Sequence, residues 1–85
     1  MNIYIIDDHA LFRNGLIALL ESKEISASAA SSPAQGLEEI ESLAVDIILL
    51  DLRMPQMSGI EVLKILKERQ IPAPVVMITT STEET

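Results

Sequence analysis

The run Ile47-Ile48-Leu49-Leu50 is closed by Asp51 and leads directly into a loop that carries Pro55 and Gly59. A short apolar run between turn residues has no polar face to offer water. It reads as a strand buried on both sides, as in a parallel sheet covered by helices. A carboxylate closing such a strand at its C-terminal end lies at the crevice where open α/β sheets bind ligands. The N-terminus repeats the pattern, with Ile3-Tyr4-Ile5-Ile6 running into Asp7-Asp8. Two strands ending in acids bring three carboxylates toward one place.

The rest of the chain alternates β-like runs with amphipathic stretches, the pattern of parallel βαβ units. The first strand is predicted over 2–7. A helix follows over 9–22, with Leu11, Phe12, Leu16, Leu19 and Leu20 on its apolar face. Residues 25–30 form a weak strand, since Ala and Ser pair poorly in sheets. Ser32, Pro33 and Gln35 spell a helix start with a capping box, and Leu37, Ile40, Leu43 and Ala44 supply that helix's apolar face. The third strand spans 46–51. Ser58 and Glu61 form a second capping box, opening a helix with Ile60, Leu63, Ile65 and Leu66 toward the core. Pro72 and Pro74 keep the next connection non-helical, and 75–78 is a fourth strand ending at Thr79-Thr80. Ser81 and Glu84 resemble a third capping box, so a further helix is starting where the chain stops.

Eighty-five residues allow one domain of modest stability. The chain has no cysteine, so neither a disulfide framework nor a thiol chemistry is indicated. It lacks the basic-then-apolar order of a signal peptide, and no apolar stretch approaches the roughly 20 residues of a membrane span. A soluble, cytoplasmic protein is expected. Thirteen acids against six bases give a net charge of -7. That balance argues against nucleic-acid binding by this segment and fits divalent cations or basic partners.

Three motifs stand in order at successive strand ends: Asp7-Asp8, Asp51-x-x-Met54-Pro55-x-x-x-Gly59, and Thr79. Together they resemble the receiver domain of two-component response regulators. The stretch Ile6-Asp7-Asp8-His9-Ala10-Leu11-Phe12-Arg13-Asn14-Gly15-Leu16 is similar to the NarL/FixJ (LuxR-type) subfamily in particular. The resemblance implies a flavodoxin-like α/β fold, a parallel sheet of order 2-1-3-4 with helices on both faces, truncated before strand five. It makes residues 1–85 a receiver domain incomplete at its C-terminus. It also implies that Asp51 accepts a phosphoryl group from a sensor histidine kinase. Mg2+ would be bound by Asp8, Asp51 and the backbone carbonyl of Arg53, with Asp7 acting mainly through a water. Thr79 matches the switch hydroxyl, while Arg53 and Ser81 flank the acceptor. The family's lysine and aromatic switch residue on a fifth strand do not occur in these residues. In the full-length protein a DNA-binding, transcription-regulating domain would follow.

Simpler readings weigh against several single residues. An aspartate at a strand end is commonly a cap or turn former, and capping is the first reading for Asp8 alone. His9, entering a helix, is read as a surface residue without a chemical role. Tyr4, Met54 and Met57 are read as packing or surface residues. Two other functions compete with the signalling module. A Mg2+-dependent aspartyl phosphohydrolase of the haloacid-dehalogenase type needs an acid two residues beyond its nucleophile. Here that position is Arg53, which stays protonated at neutral pH. A degenerate receiver serving only as an interaction surface is opposed by the intact acidic triad. The expectation is therefore a phospho-acceptor and not an enzyme. The apolar strand 75–78, left as a sheet edge, is expected to drive homodimerisation by edge pairing or segment swapping. Light scattering of a concentrated solution tests this, and a clean monomer would refute it.

Overall fold

The computed structural model describes residues 1–78; Thr79, Thr80, Ser81 and the 81–84 capping box lie outside the described residues. The elements are β1 (Asn2–Ile6), α1 (Ala10–Ser22), β2 (Ser26–Ala30), α2 (Pro33–Glu39) with a 3-10 turn (Ile40–Ser42), β3 (Ile47–Asp51), α3 (Gly59–Glu68) and β4 (Val75–Ile78). The strands form one parallel sheet of order β2-β1-β3-β4, the flavodoxin-like arrangement expected. The sequence Ser-Ala-Ser-Ala-Ala does form β2, because pairing with β1 from Asn2↔Ser26 to Ile6↔Ala30 supplies what its propensity lacks. Among the described residues no helix is long and apolar enough to cross a membrane.

Alternation along the strands sorts the core. Tyr4 and Ile6 of β1 join Ile48 and Leu50 of β3 in one cluster with Leu37 and Ile40 and with Val62 and Leu66 of α3. Tyr4 is fully buried, and its hydroxyl donates to Glu39 Oε1 at 2.8 Å. That bond satisfies the one polar atom of the side chain. Burial first, then the Glu39 carboxylate, raises its pKa.

Helix termini follow the local chemistry. Ser58 Oγ accepts from the Glu61 amide and Glu61 Oε1 accepts from the Ser58 amide, a closed capping box. At α2 only half of the expected box forms. Ser32 Oγ accepts from the Gln35 amide, but Gln35 Oε1 reaches one residue further back and accepts from the amide and hydroxyl of Ser31. The C-termini of α1 and α3 are alike. Glu24 (φ 63°) and Gln70 (φ 58°) adopt the left-handed conformation. Ile25 then donates to the Leu20 carbonyl at 3.0 Å and Ile71 to the Leu66 carbonyl at 3.1 Å. This Schellman pattern turns the chain from helix toward strand without a glycine.

Three apolar faces differ from expectation. No residue of α1 is buried: Leu11, Phe12 and Leu19 are exposed, and the half-buried stripe is Arg13, Leu16, Ile17 and Leu20. That stripe has the i, i+3, i+4, i+7 spacing of one helix face, and Leu11 stands on the opposite side. Leu43 and Ala44 are exposed because α2 ends at Glu39 and the 3-10 turn rotates them outward. In α3 the core position is Val62, while Ile60 is exposed. The cause is Gly59, the first residue of α3, which is buried against the end of β3 and so orients the helix.

A Cβ on Gly59 would lie 2.5 Å from the Asp51 carbonyl oxygen and 2.9 Å from Leu52 Cα. These are backbone atoms and cannot step aside. Gly59→Ala is therefore expected to lower stability by about 2 kcal/mol or more. Gly15→Ala, whose Cβ would meet nothing within 4 Å on α1, should raise it by about 0.5–1 kcal/mol. Urea melts of the two variants measure both, and equal effects would refute the close approach at Gly59.

Candidate functional site

The last β1–β3 pair is Ile6↔Leu50, so one step further along both strands sets Asp7 beside Asp51. Flanking hydrogen bonds hold this end of the sheet: the Asp7 amide donates to the Ala30 carbonyl at 3.2 Å, and the Leu52 amide to the Ile78 carbonyl at 2.8 Å. Both aspartates are 0 % exposed. Asp8 follows in the loop, partly exposed. His9 is the N-cap of α1, with no side-chain capping bond.

The β1–α1 loop is tied to Asp7 from two directions. Its Oδ1 accepts from the His9 amide at 2.8 Å, and its carbonyl accepts from Arg13 Nη1 at 2.8 Å. The His9 ring is thereby held over the acids. Its Nδ1 lies 3.1 Å from Asp7 Oδ1, 3.1 Å from Asp8 Oδ1 and 3.4 Å from Asp51 Oδ2. Asp51 Oδ1 accepts from the Arg53 amide at 3.2 Å. One donor atom from each of Asp7, Asp8, His9 and Asp51 can be chosen so that all lie within 4.8 Å of one another. Beside them runs a groove of about 600 Å³ lined by Asp8, His9, Leu52, Arg53, Met54, Pro55 and Ser58.

These groups perturb one another. Burial is the main reason the Asp51 carboxyl sits above its ordinary value, and the neighbouring charge of Asp7 and a hydrogen bond with it add to the rise. The Arg53 amide and His9 oppose it. His9 is raised too, first by its hydrogen bond to Asp7 and then by the charges of Asp8, Asp7 and Asp51. Asp7 Oδ2 and Asp8 Oδ1 are buried without a hydrogen-bond partner. Oxygen atoms in that condition fit a hard divalent cation, which takes oxygen ligands and relieves the repulsion among carboxylates.

Of the residues singled out in the sequence, Asp7, Asp8 and Asp51 come together here. Arg53 approaches through its backbone amide, with its side chain in an exposed position. Thr79 lies outside the described residues. Asp8 does not cap α1; the turn-forming carboxylate is that of Asp7. His9, read as a surface residue, is exposed, and its ring nitrogen also meets all three acids. Arg13 was missed as a residue that positions the loop.

Both raised groups bind protons more tightly in the folded chain than in the unfolded one. The stability they contribute is complete at low pH and is lost as pH rises from 3.8 through the folded value for Asp51, and from 6.5 for His9. In chelator the chain should thus lose stability as pH rises across the acidic to neutral range. Asp51→Asn should be more stable than wild type at pH 7, on the order of 1 kcal/mol, and less sensitive to pH. Thermal melts against pH measure this, and a variant less stable at pH 7 would contradict it.

The chain matches the model of the response regulator receiver domain over residues 3–85. It is 40 % identical over 84 residues to the nitrate/nitrite response regulator protein NarL of Escherichia coli K12, covering 96 % of this chain and 39 % of NarL. It is 34 % identical over 84 residues to a protein-glutamate methylesterase/protein-glutamine glutaminase of Lawsonia intracellularis, covering 96 % of this chain and 23 % of that protein. The chain thus spans well under half the length of these curated relatives. Among solved structures, response regulator TrrA of Thermotoga maritima, in complex with Mg2+ and BeF, superposes with a TM-score of 0.86 at 25 % identity, covering 95 % of this chain and 70 % of that one. Sequence and fold agree along nearly the whole length, and the chain belongs to the response regulator receiver family.

Proposed function

We propose that this chain is the phospho-accepting module of a two-component system, with Asp51 as acceptor and a sensor histidine kinase as donor. The observation that carries the proposal is the buried Asp51 carboxylate beside Asp7 and Asp8, two of whose oxygens lack hydrogen-bond partners. One oxygen of Asp51 attacks the phosphorus of a phosphohistidine; the P–N bond breaks, the imidazole takes up a proton, and an acyl phosphate remains on Asp51. Asp8, Asp51 and the Arg53 carbonyl would hold a Mg2+, with Asp7 nearby, and the ion would supply charge neutralisation for the carboxylates and phosphoryl oxygens. The Arg53 amide, donating to Oδ1, orients the carboxylate for attack. Thr79 is assigned the switch hydroxyl that follows the phosphoryl group.

A receiver accepts a phosphoryl group and does not turn over a substrate. Arg53, two residues after Asp51, fits that role and not an acid/base role, since its guanidinium remains charged. The transcriptional output in a full-length, cytoplasmic protein is supported by the similarity to NarL, a response regulator. A stretch similar to this chain also occurs within a protein-glutamate methylesterase/protein-glutamine glutaminase, so NarL alone does not fix the output. Association of two copies belongs to the same proposal, since β4 is an outer strand of the described sheet and Val76 is exposed on it.

The test is intact mass before and after incubation with acetyl phosphate and Mg2+. One phosphoryl adduct is expected on the wild type and none on Asp51→Asn, with negligible turnover of a generic phosphate monoester. An adduct of equal yield on both proteins, or steady monoester hydrolysis, would overturn the reading.

A further inference from the structure

We infer that Arg13 is a positioning residue for phosphoryl transfer, fixing the peptide plane from which Asp8 projects beside the acceptor. The inference rests on the proposed role of Asp51 and concerns what holds the site ready before any ion or donor arrives. The sheet itself places Asp7, which follows the paired residue Ile6 and donates its amide to the Ala30 carbonyl at 3.2 Å. Asp8 has no such support, for it lies in the loop between β1 and α1, partly exposed. Where its carboxylate stands depends on the backbone dihedrals on either side of the Asp7–Asp8 peptide.

Three hydrogen bonds close a ring around Asp8. The His9 amide donates to Asp7 Oδ1 at 2.8 Å, the Arg13 amide to the His9 carbonyl at 2.9 Å, and Arg13 Nη1 to the Asp7 carbonyl at 2.8 Å. The third bond grips the Asp7–Asp8 peptide itself. A peptide is planar, so holding its carbonyl also holds its N–H and the Cα that carries the Asp8 side chain. The anchor is α1. Arg13 belongs to the half-buried stripe with Leu16, Ile17 and Leu20, which packs its stem. Helical side chains lean toward the N-terminus of their helix, and that is where Asp7 stands. A charged donor makes this bond stronger than an ordinary one to a carbonyl. A carboxylate fixed in advance need not be ordered when an ion or a phosphoryl donor binds, and that saving is what Arg13 contributes.

Arg69 offers a comparison within the same chain. Its Nη1 donates to the Leu37 carbonyl at 2.6 Å, but from the C-terminal end of α3, whereas Ser58 at the other end of that helix lines the groove beside the acids. Nuclear magnetic resonance in chelator reads the ring around Asp8 directly. The His9 amide should exchange with solvent about tenfold faster in Arg13→Met, which keeps an unbranched stem in the stripe and has no donor. In acetyl phosphate, the Mg2+ concentration that half-saturates adduct formation should rise about tenfold in this variant, with little change in the rate at saturation. Arg13→Lys still carries an N–H for the carbonyl and should recover both readings, while Arg69→Met should match the wild type in both. A purely structural loss would lower the folded fraction without moving the Mg2+ midpoint. Arg13→Gln, two bonds shorter than arginine, repeats the test should Arg13→Met fail to fold. Wild-type exchange and midpoint in the variant without a donor would overturn the inference and leave Asp51 as acceptor. Arg13→Lys behaving like Arg13→Met would do the same. No adduct on the wild type would overturn the acceptor reading and this inference with it.

Discussion

The parallel register of β1 and β3 is the constraint on which the site depends. Once Ile6 is paired with Leu50, Asp7 and Asp51 become neighbours at the same end of a sheet whose interior is apolar. Neither can turn to solvent without breaking the register, because a one-residue slip would carry Tyr4, Ile6, Ile48 and Leu50 to the wrong face. The hydrophobic core therefore enforces proximity on two charges that repel. Hydrogen bonds from Asp7 to Ala30 and from Leu52 to Ile78 extend the strands just far enough to keep both acids inside.

The surrounding structure moderates that repulsion without removing it. His9 sets a polarisable ring against three carboxylates, Arg53 lends one amide to Asp51, and Arg13 fixes the loop from which Asp8 and His9 project. Two buried oxygens lack a hydrogen-bond partner, and the Asp51 carboxyl is held above its ordinary value. A site left in this condition costs stability in the folded chain. Strain of this kind is a usual mark of a functional site in an otherwise consistent fold.

Much of the fold is legible residue by residue. Unbroken apolar runs ending in acids locate β1 and β3, the Ser58/Glu61 box locates the start of α3, and Ser32-Pro33 locates that of α2. What failed was the orientation of helices. Hydrophobicity places Leu11, Leu19, Leu43 and Ile60 in the core, yet all four are exposed. Helix orientation is set by where each helix touches the sheet, and for α3 that contact is made by Gly59, which no hydrophobic scale would rank. β2 fails in the opposite sense, being poor in propensity and made a strand by its neighbour.

The site divides along the same line. The sequence by itself determined the chemical groups and their addresses: acids at the ends of two apolar runs, a turn-forming loop after Asp51, and the capping chemistry that starts α3. Local chain geometry dictates such features, so they can be read from residues close to one another. Tertiary structure alone decided that Asp7 and Asp51 are fully buried, that two oxygens lack a hydrogen-bond partner, and that His9 lies over all three acids. Those outcomes depend on the pairing of strands forty-odd residues apart and on the seating of α1, whose short-range pattern points to a different face. Distances between groups so far apart in the chain are set by the packing of the core, and no local pattern encodes them.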